Sequence, residues 1–351
     1  MNTNANKKTV SINTATRRTT AETFEKRRNT RLKKAIAAAK KGIDVGPSKM
    51  LYLSDALTTS ERAAAVKAAM TASTFAYGPY KVTNVPVAAI AVESKYQRDP
   101  KRGGQLLTKE TFDWAKYEAV VVSYRDGVLY AVDGGHRVKY AVDAGIENLP
   151  VKILEGKTLE QEARQFATQK DQVVTIKAAQ RFKADVVSKD RTASIIYALC
   201  DSFGLTVTNK VQGTKAPMKA IVSAKKIVDN ETIDGADCFC WMLSLMDEAK
   251  WFEDRGMLVG ALTDHVMKGF EGVYIEGVRE KALPEYTTRL LKELRQLSPK
   301  LIVSYGHLRD SSTMDKRGYT KGVLVDIAKG VVDAQEIFKL AREAGDKAAI
   351  A

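Results

Sequence analysis

Residues 128–156, VLYAVDGGHRVKYAVDAGIENLPVKILEG, decide how this chain is read. Val128–Val132 is a short apolar run of strand-like composition. It ends in Asp133-Gly134-Gly135-His136-Arg137, after which Val138, Ala141 and Val142 recur at helical spacing until Gly145 closes the helix. Leu149–Leu154 is a further strand. Upstream, Ala119–Tyr124 is a strand, and Arg125-Asp126-Gly127 is a hairpin turn because Asp-Gly accepts positive φ angles. Hairpin, glycine pair, helix and strand together predict an α+β fold with a small mixed sheet.

Outward from this unit, Val85–Val92 reads as a strand with Pro86 near its start, where an edge or first position tolerates it. Phe75–Val82, with Gly78-Pro79, reads as a turn-rich linker. Thr58-x-x-Glu61 opens a helix to Ala72, and Thr108 to Tyr117 is a further helical candidate. After Gly156 the texture becomes helical. Thr158-x-x-Gln161 opens a helix to Gln169, and others are expected near 178–188, 194–203, 219–228, 237–253, 257–270, 284–297 and 333–344. The division is therefore a basic arm over 1–42, a helical linker region over 43–82, the α+β domain over 83–156, and an α-helical domain with a helical tail over 157–351.

The chain has 351 residues and a net charge of +14. The first 41 residues hold twelve Lys and Arg against Glu22 and Glu25, which places +10 of that excess in one segment. Residues 1–18 lack periodicity and read as an unstructured arm. A helix follows from Thr20 to Lys41, with Gly42 as its stop. Its basic residues, read from sequence, occupy several faces. Such a block attracts phosphate polymers by displacing counterions, so Arg17, Arg18, Lys26, Arg27, Arg28, Arg31, Lys33 and Lys34 are the candidate DNA contacts. The alternatives are a solubilising tail or an arm docked on an acidic partner. No apolar run is long enough to span a bilayer, and no secretory signal is read at the N-terminus. No membrane is expected, and a cytoplasmic setting is.

The Asp133–Arg137 corner carries the chemistry. Two glycines let the chain turn sharply off a strand with no side chain barring a ligand. The helix that follows offers unpaired amides and the positive end of its dipole, a ready anion site. Arg137 can add a bidentate contact to phosphate, and His136 can donate from either ring nitrogen. Asp133 is placed to orient His136, hold the loop or coordinate Mg²⁺. The plain alternative is a tight turn followed by a solvated helical turn. Catalysis here would rest on Asp133 and His136 as acid and base, with Asp99 and Glu93 as further carboxylates. Cys238-x-Cys240 has no partner pair at zinc spacing and sits among apolar residues, so no zinc is expected. His265 and His307 read as surface or packed histidines. The lysines at 210, 215, 219, 225 and 226 flank a segment that reads as an amphipathic helix, with a DNA recognition helix as the alternative.

The same stretch resembles the ParB/sulfiredoxin superfamily, closest to a branch whose signature is D-G-(Q/H)-H-R after a β-hairpin. VPVAAIAVESKYQRDP, residues 85–100, resembles that family's opening strand and its Tyr-Gln-Arg element. EQEARQFATQKDQVVTIKAAQRFKADV, residues 160–186, resembles its Glu-rich helix, polar break and next helix. The resemblance implies a nucleotide whose phosphates rest on Gly134, Gly135, His136 and Arg137, with Tyr96, Gln97 and Arg98 facing the same pocket. CTP is the family ligand, ATP the other candidate, and Mg²⁺ the accompanying ion. Gly135 stands where the branch has Gln or His, and where sulfiredoxins have their catalytic cysteine, so sulfiredoxin chemistry is not expected. The family's second phosphate-contacting patch carries an Asn, which Thr168-Gln169-Lys170 lacks. The resulting expectation is a ParB-like, DNA-binding protein of phage, plasmid or bacterial origin, in the host cytoplasm or nucleoid, with a homodimer compatible. The alternatives are a nuclease, a nucleotide hydrolase or a phosphotransferase using the same pocket, or an interaction protein with a relic pocket.

Overall fold

The computed structural model describes residues 20–46, 48–78, 80–97, 114, 117–168, 178–206, 216–217, 220–253, 260, 262–310 and 312–345. Arg17, Arg18, Arg98, Asp99, Gln169, Lys170, Lys210, Lys215 and Lys219, and nearly all of the helix expected from Thr108 to Tyr117, lie outside them.

The fold is α+β. Seven strands form one mixed sheet in the order β1-β4-β6-β5-β7-β3-β2. They are β1 (Met50–Tyr52), β2 (Thr74–Tyr77), β3 (Tyr80–Pro86), β4 (Ile90–Glu93), β5 (Val120–Arg125), β6 (Val128–Asp133) and β7 (Asn148–Glu155). The β5–β6 turn has φ of 51° at Asp126 and 79° at Gly127, as an Asp-Gly hairpin requires. Alternation then sorts the side chains. Val120, Val122, Leu129, Ala131, Leu149, Val151 and Ile153 face one way, against Val66 and Ala69 of α2 (Thr59–Ala72) and Val138 and Ala141 of α3 (Gly135–Asp143). The other face is covered by α4 (Leu159–Thr168) and α5 (Ala178–Val187), whose Ala163, Ala167, Ala184 and Val187 enclose Tyr96.

Three expectations change here. The linker over Phe75–Val82 is a hairpin: β2 pairs with β3 through Thr74↔Val82 and Tyr77↔Tyr80. The single strand expected over Val85–Val92 is interrupted. Pro86 ends β3, Val87–Ala89 form a 3₁₀ turn, and β4 starts at Ile90. Proline lacks the N–H that would continue a ladder, and the chain crosses there to another part of the sheet. Finally, residues 43–82 are not a helical linker, since they contribute β1, α2 and β2 to the sheet domain.

The C-terminal part is helical: α6 (Arg191–Ser202), α7 (Ile221–Val228), α8 (Gly235–Glu248), α9 (Asp264–Arg279), α10 (Leu283–Glu293), α11 (Pro299–Asp310), α12 (Lys316–Lys329) and α13 (Ala334–Glu343), with a minor β8–β9 pair at Leu205–Thr206 and Ala216–Pro217. Its core is built on Phe239, Trp241, Trp251 and Phe270, all fully buried. The indole N–H of Trp241 donates to Thr287 Oγ1 (2.9 Å), and that of Trp251 to the Leu297 carbonyl (2.8 Å). Cys200, Cys238 and Cys240 are buried thiols of this core.

The N-terminal helix, α1 (Ala21–Lys41), starts at Thr20, whose Oγ1 accepts from Thr23 N–H, and stops at Gly42 with φ of 97°. It is no free arm. Phe24 and Ala35 are buried in the helical domain's core, and α1 lies along α6 and α8.

Candidate phosphate-binding corner

β6 runs parallel to β4 and antiparallel to β5, and its last residue is Asp133. Gly134 then adopts a left-handed conformation (φ 91°, ψ 16°) and reverses the chain into α3. A Cβ at this position would lie 3.1 Å from both Val120 Cγ2 and Arg137 Nε, so glycine is required on two counts. The first helical bond runs from Val138 N–H to the Gly134 carbonyl (2.9 Å). Gly134 has no side chain to cap the helix, and the first turn carries no acid. The amides of this first turn point out of the helix, as the first N–H groups of any α-helix do, and they stand at the positive end of its dipole. His136 lies in this turn, half-buried.

Arg137 folds back over the turn. Its Nη2 is 2.8 Å from Asp133 Oδ2, while Nη1 donates to the carbonyls of Glu118 and, at 3.3 Å, Ala119. The guanidinium thus staples the end of β6 to the entry of β5. Tyr117 lies beside it, and burial pushes that hydroxyl up to about 12 against the pull of Arg137.

Tyr96 and Gln97 have different main partners, although the Gln97 side chain also meets the Tyr96 hydroxyl. Gln97 is buried and belongs to the corner: its Nε2 donates to the carbonyls of Ala131 and Val132 on β6, and its Oε1 lies 3.0 Å from where a Cβ on Gly135 would be. The Tyr96 ring is enclosed by α4 and α5: it is 1% exposed, lies tilted 5.7 Å from Phe166, and its hydroxyl donates to Glu162 Oε2 (3.4 Å). Its strongly raised pKa reflects burial first and the Glu162 charge second.

Glu93 is turned away from Asp133. It is fully buried on the opposite sheet face, where Arg125 bridges it to the equally buried Glu162: Nη2 to Glu93 Oε2 at 3.3 Å and Nε to Glu162 Oε1 at 3.0 Å. Ser48 Oγ (2.5 Å) and Lys95 N–H (3.0 Å) donate to Glu93, and the Arg125 guanidinium lies 4.2 Å from the Tyr130 ring centroid. This polar cluster fastens α4 to the sheet. Sequence reading missed it because Glu162 and Arg125 carry no local motif; their meeting depends on how β5 and α4 stack.

Against this geometry, a family model described as "Family of unknown function (DUF6551)" matches residues 92–331. The chain belongs to this family. No curated protein and no solved structure matches it.

The family stretch contains the whole corner, from Gln97 through α3, together with the Glu93–Arg125–Glu162 cluster and most of the helical domain. α1 lies before it. On α1 the three arginines are ion-paired, Arg28 and Arg31 turned inward and Arg27 exposed at the edge of the helix. Arg27 pairs with Glu248 (3.0 Å), Arg28 with Glu25 (2.8 Å) and Asp237 (3.3 Å), and Arg31 with Asp247 (2.9 Å) while lying 4.1 Å from the Phe203 ring centroid. The expected DNA contacts at Arg28 and Arg31 are thus engaged with α8, Arg28 being almost wholly buried. Lys26, Lys33 and Lys34 are exposed. Between α1 and α6 runs a groove of about 500 Å³, lined by Arg31, Lys34, Asp44, Tyr197 and Asp201 among others, that no sequence motif announces. Lys225 pairs with Asp185 (2.5 Å), and Ile221, Ala224 and Ile227 are buried, so α7 packs as an ordinary amphipathic helix. Among the described residues no cluster of three or more His, Cys, Asp or Glu side chains is placed to hold a metal, and no helix is long and apolar enough to cross a membrane.

Proposed function

We propose that this chain is a ParB-like, DNA-associated protein whose α3 corner receives a phosphate group of a nucleotide and acts as a ligand-controlled switch. The observation that carries the reading is the uncapped start of α3 after a left-handed Gly134, at the C-terminal end of the parallel β4–β6 pair. Amides held in place by the fold cost nothing to orient when an anion arrives. Gln97 supports the assignment, because its side-chain amide sits over Gly135 where relatives of this signature carry a polar side chain. CTP or ATP, with Mg²⁺, is the proposed ligand.

The switch follows from Arg137. In the described state its guanidinium is shared by Asp133 and the carbonyls before β5. A phosphate at the α3 amides competes with Asp133 for that guanidinium, since bidentate phosphate contacts are strong. Its departure loosens the entry of β5, and the ligand then shifts a pre-existing equilibrium. The Asp133–Arg137 pair favours binding over turnover, because the ion pair holds the carboxylate against the guanidinium rather than towards a substrate. Titration calorimetry with CTP and ATP, with and without Mg²⁺, tests this on the wild type and on Arg137→Ala. Binding by the wild type that weakens at least tenfold in the variant supports the proposal. Equal binding by both, or by neither, removes it. Metal-dependent turnover abolished by Asp133→Asn would move the assignment to an enzyme.

A further inference from the structure

α1 sorts its two kinds of basic residue by face. At about 100° per residue, Phe24, Arg28, Arg31 and Ala35 point into the protein, and Lys26, Lys33, Lys34, Lys40 and Lys41 fall within an outward arc of about 120°. All five lysines are exposed, and none has an ion-pair partner among the described residues. Glu25 turns inward to Arg28, and Glu22 lies on the outward arc only at its N-terminal end, one turn before Lys26, so the stretch from Lys33 to Lys41 carries no acid. Lys26, Lys33 and Lys40 are seven residues apart and so lie on one line, about 21 Å from end to end at 1.5 Å per residue. Lys40 and Lys41 also complement the negative end of the helix. Lys26, Lys33 and Lys34 have no such structural task.

We infer that this lysine stripe is a rigid docking surface for the sugar-phosphate backbone of duplex DNA, and that the arginines of the same helix serve as its internal anchors. The inference rests on the DNA association proposed above and assigns it to particular side chains. Lysine ammonium groups are point charges suited to sequence-independent phosphate contact, whereas arginines would suit bidentate base readout, and here Arg28 and Arg31 are turned inward while the exposed Arg27 is tied to Glu248. The outward face carries no aromatic residue, and Phe24 is buried, so base stacking on single strands has no platform. A helix held by Phe24, Ala35 and three ion-paired arginines presents its charges without first having to order itself.

The test uses the full chain and a random-sequence DNA duplex, with affinity followed by fluorescence anisotropy across a salt series. The variants are Lys26→Gln/Lys33→Gln/Lys40→Gln and, as a control, Arg27→Gln/Arg31→Gln. Lysine and glutamine have similar helix propensity, so the first variant should keep its circular dichroism and melting temperature. The wild type should bind with a steep salt dependence. The triple lysine variant should lose about two to three units of the slope of log affinity against log salt, and at least tenfold in low-salt affinity. The arginine variant should keep the slope and melt earlier. An unchanged slope in the lysine variant would overturn the stripe while leaving DNA association standing. A wild type that ignores duplex, including one that binds phosphatidylserine vesicles instead, would overturn both.

Discussion

The carboxylate of Asp133 and the guanidinium of Arg137 are held 2.8 Å apart across the first turn of α3, so the strand that ends at Asp133 and the helix that follows it share one ion pair. This pair places the guanidinium of the corner beside the first-turn amides of α3 and keeps it occupied until an anion competes. It also separates the readings of the site. Asp133→Asn removes a negative charge from an anion-binding corner and releases Arg137. Nucleotide affinity should therefore rise several-fold or stay level in a calorimetric titration. If Asp133 held a catalytic metal, the same change would abolish ligand-dependent activity.

Gly134→Ala tests the turn itself. At φ of 91° a Cβ is strained by about 1–2 kcal/mol, and it would also crowd Val120 and Arg137 at 3.1 Å. Urea denaturation should show at least that loss, and ligand binding should fall with it. A neutral substitution would mean that the chain leaves β6 by another route.

Arg125→Met tests the polar cluster under α4. Without the guanidinium, the fully buried carboxylates of Glu93 and Glu162 face each other with no cation between them. Removing one partner from buried ion pairs costs about 3–5 kcal/mol, and chemical denaturation at neutral pH should show a loss of that size. A loss below about 1 kcal/mol would show that the carboxylates rearrange to solvent.

The hairpin at Asp126-Gly127, the turn at Gly134 and the helix from Gly135 were all legible in the sequence, because each depends on residues next to one another in the chain. The same holds for Thr58 and Glu61, which form the reciprocal cap expected of them. Other features depend on partners far away. Tyr96 and Gln97 are adjacent in sequence, and Gln97 reaches the β6 carbonyls at the corner while the Tyr96 ring is enclosed by α4 and α5, a partition set by partners far along the chain. The face sorting of α1 was hidden because the acids that draw the arginines inward, Asp237, Asp247 and Glu248, lie two hundred residues on. Helix α12 escaped notice because it packs against α9, α10 and α11, so its apolar residues do not form a single stripe. The helix expected to end at Phe270 continues to Arg279, with Gly272 and Gly277 inside it.

Acid sensitivity gives an independent check on how α4 is held. Lys189, 2.8 Å from Glu160, hydrogen-bonds its carboxylate and lowers its pKa from 4.5 to about 2. A lowered carboxylate pKa contributes stability that is fully present above pH 4.5 and is lost as pH falls towards 2. The pair is partly exposed, so its share is under about 1 kcal/mol. Glu160→Gln should lower stability slightly at pH 7 and flatten the decline between pH 4.5 and 2 in urea titrations. An identical pH profile in the variant would mean that the pair contributes nothing.

The most direct test of the corner is the melting temperature of the full chain across CTP, ATP and inorganic phosphate, with and without Mg²⁺. A ligand that binds the folded state stabilises it by mass action, by about 2.7 kcal/mol at a hundredfold excess over its dissociation constant. At least one nucleotide should raise the transition by several degrees, and Arg137→Ala should lose most of that shift. A melting temperature unmoved by every nucleotide would contradict the account.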